Sequence, residues 1–288
     1  MPGRLILCAT PIGNLEDMSY RAVRTLQEAD LIAAEDTRNS IKLLNHFDIH
    51  TPMISYHEYN KVTRGRELVE RMLGGENVAL ITDAGTPGIS DPGEDLAAAC
   101  IEAGIPVSVV PGPAACISAL IMSGLPTRRF AFEAFLPADK KERQTVLEEM
   151  KTETRTIVLY EAPHRLVKTL QELAGLLGGE RRITVCRELT KKHESALRTT
   201  LENACAHYEQ EPPKGECVLV IAGRDRSEMM LEDQLQWQSI SIEDHVRMYE
   251  ERGYSNKEAL KLAAKDRGCS KRELYQYMVQ KKDIEKEK

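Results

Sequence analysis

The sequence predicts an α/β fold: a largely parallel sheet covered by helices on both faces, then a second α/β unit and a small helical module. Short apolar runs rich in branched residues alternate with stretches of helical spacing over most of the 288 residues. This alternation is typical of parallel sheets, whose strands are buried on both faces. At roughly 150 residues per domain, the length suggests two domains and a small appendage.

The first unit, residues 1–125, is predicted to contain four strands. They are Leu5–Cys8, Leu31–Ala34, Val78–Ile81 and Val107–Val110. Helical spacing predicts helices over 19–28, with Ser19 as the N-cap, and over 93–103. Pro113 lies where a further helix running to about Met122 could start, because proline suits the first helical position.

A second α/β unit is predicted over residues 126–225, because Gly124-Leu125-Pro126 interrupts the alternation. Its predicted strands are Phe130–Phe135, Thr156–Tyr160, Ile183–Cys186 and Cys217–Ile221, and its predicted helices are 139–151, 163–177 and 200–209. The alternating Phe130, Phe132 and Phe135 predict some antiparallel pairing in this unit.

Residues 240–282 are predicted to form a three-helix module with the spacing of a helix-turn-helix. Ser255-x-x-Glu258 and Ser270-x-x-Glu273 are capping boxes, and each opens an apolar-periodic segment. Ile242–Glu251 supplies the remaining helix. Gly253 and Gly268 lie where C-terminal caps are expected.

The helical module concentrates positive charge in an acidic chain. The whole sequence has a net charge of -6, whereas residues 255–282 hold eight basic residues against three acidic ones, a local charge of +5. The basic residues are Lys257, Lys261, Lys265, Arg267, Lys271, Arg272, Lys281 and Lys282. A solvated helical bundle and a nucleic-acid contact explain this charge about equally well.

Composition and missing motifs exclude several classes of protein. With 42% hydrophobic and 29% charged residues the chain should fold, and the seven cysteines without a C-x-x-C pair indicate reduced thiols and a cytoplasmic location. We expect no signal peptide and no membrane span. No G-x-G-x-x-G follows a strand and no P-loop occurs. His46 and His50 lack a third ligand, so no metal is expected.

Three glycine- and proline-rich loops follow predicted strands of the first unit. They are 10–14, 83–93 and 111–114. Ligands of open α/β sheets bind beyond the carboxyl ends of the strands, where such loops meet. Glycine lets the backbone approach a ligand closely, and proline sets the loop shape in advance. The three loops together therefore predict a binding site.

Four further segments complete an ordered set with these loops: Ala34–Arg38, Ser55–Asn60, Tyr160–Arg165 and Gly215–Gly223. In this order the set resembles the tetrapyrrole-methylase superfamily over about residues 4–223. Glu35-Asp36-Thr37-Arg38 and the segment around His164 resemble the branch that methylates small-subunit ribosomal RNA rather than tetrapyrroles.

The resemblance implies a two-lobed fold of the class III methyltransferases, with S-adenosylmethionine (SAM) folded into the cleft between the lobes. It implies that the acceptor is the ribose 2′-hydroxyl of a cytidine in 16S rRNA of the 30S subunit, at position 1402 in the usual bacterial numbering. It also implies a homodimer.

Candidate site residues follow from the same resemblance. The expected cofactor contacts are Pro11, Asp83, Gly85, Ile89, Ser90, Ala114, Tyr160 and Ala222. The catalytic candidates are Glu35, His57 and His164, and the RNA-binding candidates are Arg38, Arg165, Lys257, Lys261, Lys271 and Arg272, with Glu188 and Lys191 as weaker acceptor-side candidates. A loop-capping role for Asp83, a core-edge position for Tyr160 and structural ion pairs for the acceptor-side residues stay open as alternatives.

Two other functions also stay open. A protein of the same fold could methylate a tetrapyrrole, another small molecule or a protein side chain. Alternatively, a chain with a vestigial cleft could bind ribosomal RNA as an assembly protein without catalysis. The basic helical module favours an RNA partner over a small molecule.

Overall fold

The computed structural model describes residues 1–227, 229, 235, 237 and 239–277. The chain divides into unit 1, Met1–Ala222, and unit 2, which begins at Gly223. Among the described residues, no helix combines the length and apolar character that crossing a membrane requires.

The first sheet of unit 1 contains five parallel strands in the order β3-β2-β4-β1-β5. The strands are β1 Leu5–Cys8, β2 Leu31–Ala34, β3 Met53–Ser55, β4 Val78–Ile81 and β5 Val107–Val110. The helices are α1 Tyr20–Glu28, α2 Thr37–His46, α3 Lys61–Leu73, α4 Gly93–Glu102 and α5 Ala115–Ser123. All four strands predicted for this unit are confirmed, and the parallel pairing is confirmed with them.

Both faces of the first sheet are buried, as the near-continuous apolar strands predict. In β2, Leu31 and Ala33 join one hydrophobic core, while Ile32 and Ala34 join the other. Successive side chains of a strand point to opposite faces, so each strand contributes to both cores. The sheet therefore holds the loops at its strand ends on a rigid base.

The second sheet of unit 1 is mixed, with the order β6-β7-β10-β8-β9. Its strands are β6 Phe130–Phe135, β7 Thr156–Glu161, β8 Arg182–Arg187, β9 Ser195–Thr200 and β10 Cys217–Ile221. Its helices are α6 Lys140–Thr152, α7 Leu166–Leu177 and α8 Leu201–Gln210, and a short 3-10 helix, Pro163–Arg165, precedes α7. β6 and β7 are parallel and the other pairs are antiparallel, which confirms the predicted antiparallel pairing.

Helix α5 connects the two sheets. One face of the second sheet packs on α6, α7 and α8. The opposite face packs on Cys116, Ala119 and Leu120 of α5. The two sheets thereby form one two-lobed body, and the predicted division into 1–125, 126–225 and 240–282 stays a prediction.

The helix after β5 begins two residues later than the position of Pro113 predicts. Its first residue is Ala115, with Ala114 as an extended N-cap. The carbonyl of Pro113 accepts a hydrogen bond of 3.0 Å from the hydroxyl of Thr86. Pro113 is therefore part of the loop rather than the first helical residue.

Unit 2 contains helices Ile242–Glu251 and Asn256–Asp266 and a helical segment over 271–277. The capping boxes are confirmed: the carboxylate of Glu258 accepts from the backbone N–H of Ser255, and that of Glu273 from the N–H of Ser270. Gly253 and Gly268 adopt φ values of 92° and 65°, as helix-ending glycines do. Residues 278–282 of the predicted module, with Lys281 and Lys282, lie outside the described residues.

Candidate active site

A cavity of about 490 Å³ lies in unit 1 where the strand-end loops meet. Ile12 comes from the loop after β1, residues 82–86 and 89–91 from the loop after β4, and Ala114 from the loop after β5. Residues 160–163 at the end of β7 form the opposite wall. The volume is in the range of small-molecule sites, about 300–1,000 Å³, and the position is where α/β sheets bind ligands.

The loop after β4 is held in shape by one carboxylate. Asp91 accepts the backbone N–H groups of Gly88, Ile89 and Gly93 at 2.9, 3.2 and 2.8 Å. Ser90 is held at φ 68°, a left-handed conformation that a non-glycine residue rarely adopts. Such strain persists only where the surroundings determine the conformation, so this cavity wall is built in advance of binding.

Gly85 lets the backbone itself line the cavity. Its φ is 87°, and its N–H and carbonyl pair with the carbonyl and N–H of Thr10 at 3.1 and 2.9 Å. A Cβ at this position would lie 3.2 Å from Cγ2 of Ile12. Only glycine fits both the conformation and the close approach.

The cavity is strongly acidic. Five carboxylate residues line it: Glu35, Asp83, Asp91, Glu161 and Glu216. No lysine, arginine or histidine occurs among the described residues of its wall. Glu161 and Glu216 pair with cations outside the wall, with Arg165 at 3.6 Å and with Lys191 at 3.1 Å. Glu35 and Asp83 remain as neighbouring carboxylates in the wall, so the cavity favours a cationic ligand.

Glu35 and Asp83 are brought together because β2 and β4 are neighbours in the sheet. The hydroxyl of Thr82 donates to Oε2 of Glu35 at 2.6 Å, and Oδ1 of Asp83 accepts the backbone N–H of Asp36 at 3.1 Å. Partial burial and the neighbouring Glu35 carboxylate raise the pKa of Asp83 above its ordinary value. A cation in the cavity would relieve this repulsion.

Aromatic rings form the other wall. The ring of Tyr160 lies 5.5 Å from that of Phe135 and 5.1 Å from that of Phe132. The backbone N–H of Cys116 donates to the phenolic oxygen of Tyr160 at 3.3 Å, and burial raises the pKa of Tyr160, so its phenol is neutral. The structure thus offers apolar ring surface in the wall formed by the second sheet, which suits contact with a heteroaromatic ring.

Six of the eight predicted cofactor contacts line the cavity: Asp83, Gly85, Ile89, Ser90, Ala114 and Tyr160. Pro11 and Ala222 are buried and are not part of the wall. The N–H of Ala222 donates to the carbonyl of Arg182 at 2.9 Å, and its carbonyl accepts from Arg181 at 3.2 Å. These bonds occupy the backbone groups of Ala222.

Among the three catalytic candidates, Glu35 lines the cavity, whereas His57 and His164 do not. Nε2 of His57 lies 3.3 Å from the side-chain nitrogen of Asn60, and His164 is exposed. The weaker candidates Glu188 and Lys191 form an ion pair of 3.1 Å.

The RNA-binding candidates lie outside the cavity. Arg38 is bonded to the carboxylate of Asp36, and Nε of Arg165 lies 3.6 Å from Glu161. In unit 2, Lys257, Lys261 and Arg272 are exposed and Lys271 is half-buried. Arg267, counted with the basic residues of that module, instead bonds internally to His245 and to the carbonyls of Ile240 and Ser241.

Sequence reasoning missed several residues of the wall, among them Thr82, Phe135, Glu161 and Glu216. Thr82 and Glu161 stand at the carboxyl ends of predicted strands, so the rule that ligands bind there could have found both. Glu216 precedes its strand, and only the antiparallel direction of β10 brings it to the same edge.

The chain is similar in sequence to one protein family and to proteins of several bacteria. The family model of the Tetrapyrrole (Corrin/Porphyrin) Methylases matches residues 4–205. A protein of Halalkalibacterium halodurans named "Ribosomal RNA small subunit methyltransferase I" is 49% identical over 273 residues, which is 95% of this chain and 93% of that protein. A protein of the same name from Synechocystis is 50% identical over 96% of this chain and 98% of its own length.

A third protein of that name, from Thermotoga maritima, is 44% identical over 223 residues, which is 77% of this chain and 100% of that protein. Its length is therefore about that of unit 1 alone.

Among solved structures, a diphthine synthase matches with a TM-score of 0.62 at 14% identity, over 76% of this chain and 90% of its own. A uroporphyrin-III C-methyltransferase from Thermus thermophilus, complexed with S-adenosyl homocysteine, matches with a TM-score of 0.54 at 20% identity, over 76% of this chain and 97% of its own. At these identities the matches show the fold.

Proposed function

The chain belongs to the tetrapyrrole methylase family, and from this premise we propose that it is a SAM-dependent methyltransferase of small-subunit ribosomal RNA. The acidic cavity at the strand ends carries the proposal for the donor. The names of the relatives at 44–50% identity support ribosomal RNA as the acceptor. Within this class, the methyl acceptor that we propose is the 2′-hydroxyl of cytidine 1402 in 16S rRNA.

The residues of the cavity fit SAM, which when bound supplies an activated methyl group on a positively charged sulfur. Asp83 would hold a positive charge of the donor, and Tyr160 and Phe135 would contact its adenine ring. The backbone of Gly85 would approach the donor without a side chain between them. Pro11, buried next to Ile12, would support this wall from behind, whereas Ala222 lies at the other end of β10 and has no part in the proposed donor site.

We assign the proton acceptor to Glu35 rather than to His57 or His164, because Glu35 lies in the cavity wall. The hydroxyl of Thr82 orients its carboxylate and leaves Oε1 free of that bond. A base placed at the acceptor hydroxyl typically contributes about 10²–10⁴-fold to the rate. Holding the hydroxyl in line with the methyl group contributes several kcal/mol more, about 7–11 in the best intramolecular cases.

A cytidine must leave its stack to bring its ribose to this cavity. Selection of a 2′-hydroxyl also separates RNA from DNA. In this proposal Arg38 and Arg165 contact the RNA backbone from unit 1, and Lys257, Lys261, Lys271 and Arg272 add contacts from unit 2. The 30S subunit is then the macromolecular partner.

A homodimer is the second part of the proposal. β5 is an edge strand of the first sheet, and its Val109 side chain is exposed. The neighbouring helices in the chain expose Ile101 of α4 and both Ile117 and Ile121 of α5. Exposed apolar side chains beside an unpaired strand edge are typical of an interface between proteins. Sedimentation of wild type and of Ile121→Glu tests this part, and a monomeric wild type contradicts it.

The catalytic proposal is tested with SAM carrying a labelled methyl group and small-subunit RNA, followed by mapping of the modified nucleotide. We expect label on one cytidine ribose, and a Glu35→Gln variant that binds SAM but transfers the methyl group at least 100-fold more slowly. Glu102→Gln, at an exposed site on α4, removes the same charge and is the control.

Each outcome decides a different part of the proposal. Label on a base contradicts oxygen methylation, and label on a protein or a tetrapyrrole added in a parallel reaction changes the acceptor class. RNA binding without any transfer favours a non-catalytic assembly protein. Equal rates for Glu35→Gln and Glu102→Gln would remove Glu35 as the proton acceptor.

A further inference from the structure

A second cavity of about 680 Å³ lies between α6, α7 and the 3-10 helix Pro163–Arg165. Four basic residues line it: Lys140, Arg143, Arg165 and Lys168. Among its described lining residues, Glu172 is the one acidic residue. The charge of this basic cavity is therefore opposite to that of the cavity with five carboxylates.

The basic cavity combines a cation held by hydrogen bonds with a cation exposed to solvent. The guanidinium of Arg143 donates to Glu172 through two nitrogens, at 2.8 and 2.6 Å, and to the hydroxyl of Thr169 at 3.0 Å. Nζ of Lys168 lies 4.0 Å from Glu172, and this side chain is 80% exposed. Such a pair is weak in water, so the Lys168 ammonium is free to bind an anion.

The two cavities share one wall. The hydroxyl of Thr169, which lines the basic cavity, donates at 2.6 Å to Oε2 of Glu161, which lines the acidic cavity. The 3-10 helix lies between the cavities: Pro163 at its start lines the acidic cavity, and Arg165 at its end lines the basic cavity.

A cationic donor and a polyanionic RNA acceptor need surfaces of opposite charge close together. The carboxylates of the acidic cavity attract a cationic donor but repel phosphate groups. The RNA backbone beside the target nucleotide therefore needs a cationic surface close to the acidic cavity but outside it. The relative from Thermotoga maritima has 223 residues, too few for both units, so this surface should lie in unit 1.

We propose that the basic cavity of Lys140, Arg143, Arg165 and Lys168 binds phosphodiester groups of the RNA strand next to the nucleotide that is methylated. This inference rests on the proposed function, since it presumes an RNA acceptor. Arg143 and Arg165 form the fixed part of the site, and Lys140 and Lys168 close on the phosphates from the two helices.

The test compares two double variants. Lys140→Ala/Lys168→Ala removes two charges from the basic cavity. Lys141→Ala/Lys151→Ala removes two charges from α6 outside this cavity, and Lys151 has an equivalent weak pair, 3.9 Å from Glu148. Binding of a small-subunit RNA fragment is measured as a function of salt, with the same sequence in DNA and with inorganic phosphate as competitors.

Each lost phosphate contact lowers the slope of log K against log salt by about 0.7 for a single strand, so the cavity variant should lose about 1.4. At 0.15 M salt this loss corresponds to roughly tenfold weaker RNA binding. The Lys141/Lys151 variant should keep the wild-type slope, and SAM binding should be unchanged in both variants.

Equal slopes for the two double variants would overturn the site. Competition by millimolar phosphate without any effect of the Lys140/Lys168 change on RNA binding would assign the cavity to small anions and also overturn it. Failure of the proposed function is recognised separately. In that case wild type binds RNA with the larger slope but transfers no methyl group to it.

Discussion

Replacing Gly85 with alanine should weaken SAM binding at least tenfold and destabilise unit 1. The φ of Gly85 is 87°, and a left-handed conformation costs a residue with a Cβ about 1–2 kcal/mol. The new Cβ would also lie 3.2 Å from Cγ2 of the buried Ile12 and 3.4 Å from the carbonyl oxygen of Pro113. Overpacking of this kind adds about 1–3 kcal/mol. Because Ile12 and Gly85 both line the acidic cavity, relief of the contact must change the shape of its wall.

Gly104→Ala is the matched control for this change. Gly104 has a φ of 71°, and no atom lies within 4 Å of its added Cβ. Gly104→Ala should therefore lower the free energy of unfolding by about 1–2 kcal/mol through backbone strain alone, and it should bind SAM as tightly as wild type. Urea unfolding measures the free energies of unfolding, and calorimetry measures SAM binding. If Gly85→Ala binds SAM as tightly as Gly104→Ala, the close approach of the backbone at Gly85 has no part in the donor site.

Three further predictions concern charge and hydrogen bonding. The raised pKa of Asp83 means that its ionised form destabilises the folded state. The free energy of unfolding should therefore rise as the pH drops through the raised pKa. Asp83→Asn should likewise raise the free energy of unfolding at neutral pH, measured by urea unfolding. The same variant should weaken SAM binding about tenfold by calorimetry, about 1.4 kcal/mol. Thr169→Val removes the hydroxyl donor to the buried Glu161 and should cost about 1.5–3 kcal/mol in urea unfolding. Burial lowers the pKa of His245, so unit 2 should lose stability below about pH 6.5, where the unfolded chain takes up the proton first. Trp237, stacked on His245 at 4.0 Å and the single tryptophan of the chain, reports this by fluorescence.

The strands that sequence reasoning found are those with continuous apolar runs. β1, β2 and β4 have the predicted bounds because they are buried in the interior of the first sheet, and β5, an edge strand that is partly exposed, was found from its valine-rich run. β9, Ser195–Thr200, was missed because this edge strand carries polar side chains and has no apolar run. β3 has three residues, too few for a periodic pattern. Prediction from the sequence thus depended on burial, and it failed where strands are short or exposed.

The residues predicted to contact the cofactor are grouped in the structure for a related reason. Glycine and proline at strand ends restrict the backbone locally, and six of eight predicted contacts line one cavity. Which residues from different strands share the cavity wall depends on which strands become neighbours. Glu35 and Asp83 are 48 positions apart and share a wall because β2 pairs with β4. No local pattern contains that information.

The basic cavity also depends on packing, because its four basic residues come from separate segments of the chain. Lys140 and Arg143 on α6 are three positions apart, as are Arg165 and Lys168, and in the sequence each pair is part of an ordinary charged helical segment. Packing of α6 against α7 turns the two pairs into one site. The charge of +5 in the C-terminal module is visible in the sequence because its basic residues lie close together along the chain. One of them, Arg267, is bonded within the module to the carbonyl of Ile240. A protein of the relatives' name also exists at the length of unit 1. The proposed phosphate site therefore rests on the position of these four cations beside the acidic cavity, and not on the density of charge along the chain.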